Sequence, residues 1–171
     1  MLELRGNLFD QRCDAICITT NGYVSARGLA VMGRGCAASA AKRYRGLEEK
    51  LGSRIQQFGS RTRFIWTTRD YHIISFPVKP VSVICKPDKS NVVSHMKNSF
   101  QAGSIVPGCF AVAEIPVICE SARRLVRLVN KRGLDRVVIP RPGCGAGELN
   151  WSQVKSALES ILDDRFHVIT F

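Results

Sequence analysis

The sequence lacks the features that mark several specialised classes of protein. No stretch approaches the roughly 20 consecutive apolar residues that a membrane-spanning helix requires. Glu3 and Arg5 closely follow Met1, where a secretory leader would have an apolar run. The 7 cysteines are odd in number and include no CxxC pair, which argues against a disulfide framework and a zinc site. We therefore expect no membrane partner, no metal and a location in a reducing cytoplasm.

Acidic residues are also scarce, since 14 Asp and Glu stand against 25 Lys and Arg, for a formal net charge of +11. Such an excess favours anionic partners such as nucleotides, nucleic acid or an acidic surface. Solubility alone is the competing interpretation, and the net charge does not decide between the two. Basic residues are dense over residues 27–69 and 123–132, but no run is long enough to resemble a disordered basic tail.

The chain has material for one domain. Its 171 residues are 45% hydrophobic, which is enough to bury a core of useful size. We expect a single domain over residues 1–171, and a monomer, because nothing in the sequence demands more.

Strand-like runs alternate with helix-like runs along the chain. The strand-like runs are rich in β-branched and apolar residues and cover residues 2–5, 14–20, 63–67, 71–76, 136–140 and 166–171. Helical patterns cover residues 36–44, continuing weakly to 57, then 117–132, with Gly133 as C-cap, and a helix from Trp151 capped by Asn150. This alternation predicts an α/β layered domain with a mostly parallel sheet, in which ligands bind at the carboxyl ends of strands.

Residues 81–113 interrupt the alternation. Pro, Gly, Ser and Lys punctuate this stretch, yet Val92, Val93, Met96 and Phe100 keep a helical spacing. We interpret it as an insertion with one short helix, and its Lys86, Lys89 and Lys97 would help to hold an anionic carrier such as nucleic acid.

Two glycine-rich loops each follow a strand-like run and precede a helix. The first, residues 21–35, carries Gly28, Gly33 and Gly35, and the second, residues 141–151, has glycines at 143, 145 and 147. Glycine lets backbone N–H groups approach a phosphate, and the following helix adds a favourable dipole. A tight turn is the alternative for either loop alone, but two such loops favour a phosphate cradle. Neither loop fits GxxxxGK[ST] or GxGxxG, so a P-loop or a Rossmann site is not supported.

Four segments resemble the macrodomain family. They are GNLFDQRCDAICITTNG (6–22), GLAVMGRGCA (28–37), HIISFPVK (72–79) and IPRPGCGAGELNW (139–151), and they occur in the family's order. The chain is similar to the branch that includes antitoxin glycohydrolases removing ADP-ribose from DNA, with the terminal ADP-ribose glycohydrolases in a neighbouring group and stand-alone phage proteins also similar. The resemblance implies a three-layer α/β/α fold with a mixed sheet. It also implies a cleft for ADP-ribose or an ADP-ribosylated macromolecule, and no cofactor.

The resemblance implies roles for individual residues. Asn7 stands where many macrodomains have an aspartate that reads the adenine amino group, with Leu8 beside the base. Asn21 matches an asparagine near the distal ribose, and Phe171 would flank the adenine unless it is an ordinary core aromatic. The remaining ligand-binding positions lie in the two glycine loops: Gly28, Met32, Gly33, Arg34, Gly35, Gly143, Cys144, Gly145, Ala146 and Gly147.

Lys79 is the last residue of the third segment, where related glycohydrolases have a lysine that attacks the anomeric carbon or supports that chemistry. A lysine desolvated in a cleft loses proton affinity and becomes a nucleophile able to form a Schiff base with an opened ribose. A solvated surface lysine is the alternative. The glutamate-directed human enzyme has an aspartate where this chain has Gly147, and the GGGGVD-type loop of another branch reads AVMGRG here. These departures argue against ADP-ribose on protein glutamate as the preferred substrate.

Three functions remain open from the sequence. The first is an ADP-ribosyl hydrolase acting on nucleic acid or protein, with Lys79 as the catalytic residue. The second is a non-catalytic module that binds ADP-ribose or a derivative, and the third is a nucleic-acid-binding domain without a nucleotide pocket. Cys144 is interpreted as a small loop residue and Trp151 as a core anchor of the last helix, while His95 has no assigned role.

Overall fold

A computed structural model describes residues 1–170 of the chain. Within these residues there are eight strands, β1 (Leu2–Arg5), β2 (Ala15–Thr20), β3 (Arg63–Thr67), β4 (His72–Pro77), β5 (Ser82–Ile84), β6 (Ile105–Pro107), β7 (Val137–Pro140) and β8 (Phe166–Thr170). The same part of the chain forms four α-helices, α1 (Gly35–Arg43), α2 (Leu47–Phe58), α3 (Ile115–Arg132) and α4 (Trp151–Glu159). The helical pattern that weakens after residue 44 is a second helix, because Gly46 adopts a left-handed conformation and starts α2 afresh.

Six strands form one sheet in the order β1–β8–β7–β2–β4–β3. Neighbouring strands are parallel except at one edge, where β3 is antiparallel to β4 with Arg63 opposite Ser75. The predicted mostly parallel sheet is therefore confirmed. The carboxyl ends of β2, β4, β7 and β8 meet along one edge of the sheet, where the fold predicts a ligand site.

Helices cover both faces of the sheet. In β2, Ile16 and Ile18 belong to the apolar cluster beneath α1 and α2, whereas Ala15 and Cys17 belong to the cluster beneath α3 and α4. All four side chains are fully buried. Because side chains alternate along a strand, a strand buried on both faces reads as a continuous apolar run, as this one does. The layers are therefore α/β/α.

Helix α3 shows how the pattern sets the packing. Its buried positions Ile118, Ala122, Leu125 and Val129 recur at helical spacing and lie on one face. Burial of a side chain such as Leu125 contributes about 2 kcal/mol. The helix ends at Gly133, whose left-handed conformation (φ 62°) is the C-cap that the sequence predicts. Within residues 1–170, no helix is long and apolar enough to span a bilayer.

The insertion is more ordered than the sequence predicts. Its short helix is a 3-10 helix over Ser94–Ser99, and strands β5 and β6 form a separate antiparallel pair. These strands have three residues each, too few to show a period of two. The insertion also lies against the chain just after Lys79, since a side chain at Gly108 would collide with the carbonyl of Pro80. It therefore packs beside the carboxyl end of β4.

Asn150 provides a test of the capping assignment. Its side-chain oxygen accepts a hydrogen bond from the Ser152 backbone N–H at 2.9 Å and so satisfies the first turn of α4. We expect Asn150→Ala to lower the free energy of unfolding by about 1 kcal/mol, measured by urea denaturation. Asn150→Asp, which retains a capping oxygen, serves as the control, and an equal loss in both variants would contradict the capping role.

Candidate functional site

The carboxyl edge of the sheet opens into a cleft of about 710 Å³. The ends of β2, β4, β7 and β8, both glycine loops and part of the insertion form its wall. Most of the positions expected from the sequence meet there, namely Asn21, Met32, Gly33, Arg34, Gly35, Lys79, Gly143, Cys144, Gly145, Ala146 and Gly147. The fold thus brings together residues that are more than 100 positions apart in the chain.

The remaining expected positions do not line the cleft in the described part of the chain. The amide of Asn7 caps a short 3-10 helix, accepting from the Phe9 N–H at 3.1 Å and donating to Asp10 at 2.8 Å. Leu8 is fully buried in the core, and Gly28 lies against α2, where a side chain on Gly52 would collide with its carbonyl. These three residues support the surroundings of the cleft instead of lining it. Phe171 lies outside the described residues.

Asn21 fixes the shape of the first loop. Its side chain donates to the Val31 carbonyl at 2.9 Å and accepts from the Tyr23 N–H at 3.0 Å. The loop is thereby closed on itself before it reaches Gly35, whose φ of 58° starts α1. Arg34, at the N-cap, makes no side-chain capping bond to the described residues. The first N–H groups of α1 therefore face the cleft without a capping side chain, an arrangement suited to an anion.

The second loop is held together by its glycines. Gly143 has a φ of 77°, and its carbonyl accepts from the Leu149 N–H at 3.0 Å. A side chain on Gly147 would lie 2.5 Å from that carbonyl and 2.6 Å from Ala113 Cβ. Gly145, at the tip of the loop, is open to the cleft. The loop is therefore compact at its base and accessible at its tip.

Lys79 is buried in the wall between the second loop and the insertion. Only 7% of the residue is exposed. Its amino group donates to the carbonyl of Ala146 at 2.9 Å and to the carbonyl of Cys109 at 3.3 Å. Burial lowers the pKa of Lys79, and the nearby positive charge of Arg34 acts in the same direction, although Cys109 and Glu148 oppose the shift. A solvated surface lysine is thus excluded.

Glu148 fastens the insertion to the second loop. Its carboxylate accepts from the Ser94 N–H at 2.9 Å and from the Ser94 hydroxyl at 2.8 Å. Partial burial opposes ionisation, but the bonds from Ser94, with His95 and Lys97 nearby, outweigh it and hold the pKa of Glu148 below its usual value. The contact brings His95 to the cleft wall. No local pattern in the sequence signals it, because Ser94 and Glu148 are 54 residues apart.

Arg141 and Trp151 form the opposite end of the cleft. The Arg141 guanidinium lies 5.0 Å from the centre of the Trp151 ring, and both side chains donate to the Glu3 carboxylate at 3.2 Å. Lys155 donates to the same carboxylate at 2.7 Å. Trp151 packs against the core, as the sequence predicts, but it also lines the cleft. Sequence reasoning missed this group, since Glu3 meets it only in the folded chain.

The thiols that line the cleft are poor nucleophiles. Burial raises the pKa of Cys36, Cys109 and Cys144. Because the thiolate is the reactive form, a cysteine hydrolase is disfavoured. Within residues 1–170, no group of three or more His, Cys, Asp or Glu side chains is placed to hold a metal ion.

Comparison with known proteins identifies the fold. No family model matches the sequence, and no curated protein matches it. Solved structures, however, match over nearly the whole chain. The macrodomain of Mycobacterium tuberculosis DarG has a TM-score of 0.67 and 19% identity, covering 97% of this chain and 94% of its own. This chain has the macrodomain fold. The macrodomain of Thermus aquaticus DarG has a TM-score of 0.65 and 18% identity, covering 99% of this chain and 97% of its own.

A third macrodomain-containing structure holds a ligand. Thermosipho africanus DarTG, solved in complex with ADP-ribose, matches with a TM-score of 0.64 and 18% identity, covering 98% of this chain and 41% of its own. The three-layer architecture expected from the resemblance is confirmed by these matches. At such identities the likeness establishes the macrodomain fold, and the chemistry must be argued from the residues of this cleft.

The two glycines of the second loop give a matched test of its packing. We expect Gly147→Ala to lower the free energy of unfolding by about 1–3 kcal/mol, because the methyl group would displace the Gly143 carbonyl or Ala113. Gly145→Ala should leave stability nearly unchanged, since no described atom lies within 4 Å of the added group. Thermal and urea denaturation without ligand measure both, and equal effects would contradict the close packing at Gly147.

Proposed function

We propose that this protein binds ADP-ribose in the cleft and hydrolyses an ADP-ribosyl linkage on a macromolecular carrier, with Lys79 as the catalytic residue. The observation that carries the proposal is the buried amino group of Lys79, held in the cleft wall beside two loops suited to a diphosphate. The carrier is nucleic acid or protein, and no cofactor takes part.

The cleft suits a dinucleotide-like anion. Its volume of about 710 Å³ lies in the usual range for small-molecule sites. The amino end of α1 and the tip of the second loop offer backbone N–H groups, and Arg34 adds a positive charge. The complex of Thermosipho africanus DarTG shows that a protein containing this fold binds ADP-ribose. We place the diphosphate between the two loops and the distal ribose near Asn21 and Lys79.

The hydrogen bonds of Lys79 support a nucleophilic role. A neutral amine has two hydrogens and one lone pair, and the carbonyls of Cys109 and Ala146 accept two hydrogen bonds from this nitrogen. The lone pair then occupies the remaining tetrahedral position of the Lys79 nitrogen, where it is available to a ligand in the cleft. The lowered pKa raises the fraction of Lys79 in the neutral form.

The reaction that follows proceeds in two steps. The Lys79 nitrogen forms a bond to the anomeric carbon of the distal ribose, the bond from that carbon to the carrier breaks, and the proton lost by nitrogen neutralises the leaving group. The sugar ring opens to give a Schiff base. Water then adds to the same carbon and releases the amine, giving free ADP-ribose and restoring Lys79.

A non-catalytic binding module is the second candidate. It is favoured by the same two hydrogen bonds, since a lysine that joins Cys109 to Ala146 also holds the cleft wall together. The two candidates differ in whether a linkage is cleaved, and this difference is measurable.

Removal of the amino group separates the two candidates. We expect Lys79→Ala to reduce ADP-ribose release by on the order of 100-fold or more, while calorimetry still detects ADP-ribose binding. The substrates are ADP-ribosylated DNA, ADP-ribosylated protein and ADP-ribose-1″-phosphate. Lys131→Ala, an exposed lysine at the end of α3, is the control and should retain activity. If the wild-type protein binds ADP-ribose but releases none from any substrate, it is a binding module.

The pH dependence tests the ionisation state of Lys79. The burial that lowers its pKa makes the neutral amine available below the usual lysine value of 10.5. We therefore expect kcat/KM to rise with pH as the ammonium loses its proton, and to level off below pH 10.5. Residual activity of Lys79→Ala should lack this rise. A profile in the wild type that falls over the same range would contradict a neutral amine as nucleophile.

A further inference from the structure

A cluster of basic and aromatic side chains lies outside the cleft, at the β3 edge of the sheet. It consists of Arg54 and Phe58 from α2, Arg61 from the segment before β3 and Arg63, the first residue of β3, and we call it the edge cluster. The proposed hydrolysis does not use these residues.

Phe58 is an unusual surface residue in this setting. The residue is 43% exposed, and the guanidinium groups of Arg63 and Arg54 lie 4.8 and 5.8 Å from its ring centre. The exposed part of such a ring can contact a base, and positive charge lies beside it.

The charges of the edge cluster are not balanced within the protein. Among the ion pairs of residues 1–170, none involves Arg54, Arg61 or Arg63. Burial together with the neighbouring Arg61, Arg54 and Arg124 lowers the pKa of Arg63. Like charges held together in this way raise the free energy of the folded state unless an anion joins them.

Two buried polar atoms beside the edge cluster also lack partners. Arg63 Nε and the Ser60 hydroxyl are shielded from solvent, and neither makes a hydrogen bond to the described residues. Buried polar groups in native proteins are nearly always satisfied, so the Arg63 and Ser60 side chains would gain hydrogen bonds by turning outward to meet acceptor oxygens. A phosphate group provides such oxygens and the negative charge that the arginines need.

The edge cluster adjoins the Lys79 end of the cleft. Gly22 directly follows Asn21 in the cleft wall, and a side chain on Gly22 would lie 3.0 Å from Ser60 Cβ. β3 is the edge strand next to β4, which leads to Lys79. A carrier leaving the distal ribose on this side would pass over the edge cluster, whereas Arg141 and Trp151 lie at the other end.

We propose that the edge cluster binds a single strand of nucleic acid, with phosphates at Ser60 and the arginines and a base stacked on Phe58. Arginine binds phosphate through several N–H groups, and base–aromatic stacking is the usual means of holding unpaired strands. A duplex has no free base face for the ring, and an acidic peptide would use the charges but not the aromatic face. The proposal that the edge cluster binds a strand does not depend on the proposed hydrolysis. The further statement that this strand carries the ADP-ribose rests on the proposed function.

The test is the binding of unmodified, fluorescein-labelled single-stranded oligonucleotides by anisotropy, without ADP-ribose. We expect Arg54→Ala/Arg61→Ala to weaken binding by about 10-fold or more at low salt, and to reduce the slope of log Kd against log salt by about 0.7 for each phosphate that the variant no longer binds. Phe58→Ala should weaken binding by roughly 5- to 100-fold. The matched control is Arg12→Ala/Arg69→Ala, which removes the same two charges at exposed positions near the opposite ends of β2 and β3.

Several results would overturn the proposal. They are absence of strand binding at low salt, an equal loss in the control pair, and equally tight binding of a duplex or of polyglutamate with no effect of Phe58→Ala. Retained melting temperature in each variant shows that the loss is not caused by unfolding. Because the assay involves no hydrolysis, strand binding without ADP-ribose release would contradict only the proposed hydrolase activity.

Discussion

The amino group of Lys79 joins three parts of the chain that form the cleft. It extends from the end of β4, and it donates to a carbonyl of the insertion at Cys109 and to a carbonyl of the second glycine loop at Ala146. Burying the amine without these partners would raise the free energy of the folded state. Without the amine, the two carbonyls would lose a hydrogen-bond donor. One nitrogen therefore stabilises the cleft wall and occupies the position from which it would react. If the proposed hydrolysis is correct, stability and chemistry are coupled at this residue.

The insertion belongs to the site more closely than its composition indicates. Glu148 holds it at Ser94, Gly108 allows its backbone to approach Pro80, and the bond from Lys79 to Cys109 fixes its far end. Each contact reaches a different turn of the insertion. As a consequence, the insertion forms a wall of the cleft. These contacts hold it to the rest of the domain, so its small apolar cluster needs to stabilise only the insertion itself.

The parts of the fold that depend on local chemistry were predictable from the sequence. The continuous apolar run of β2, the C-cap at Gly133 and the N-cap at Asn150 each report on neighbours within a few residues, and the structure has all three. Most of the cleft was predictable too, because parallel strands place their following loops together. Contacts between distant residues were not: Glu3 meets Trp151 from 148 positions away, and Leu8 is buried by packing that no local pattern reports.

The three cleft thiols have a practical consequence for chemical probes. Their raised pKa values keep Cys36, Cys109 and Cys144 protonated at neutral pH, so maleimides and similar electrophiles would react with them slowly. A covalent ligand for this cleft is better directed at an amine, for example with an aldehyde that forms a reversible imine. The same property would slow the oxidation of these three thiols by mild oxidants.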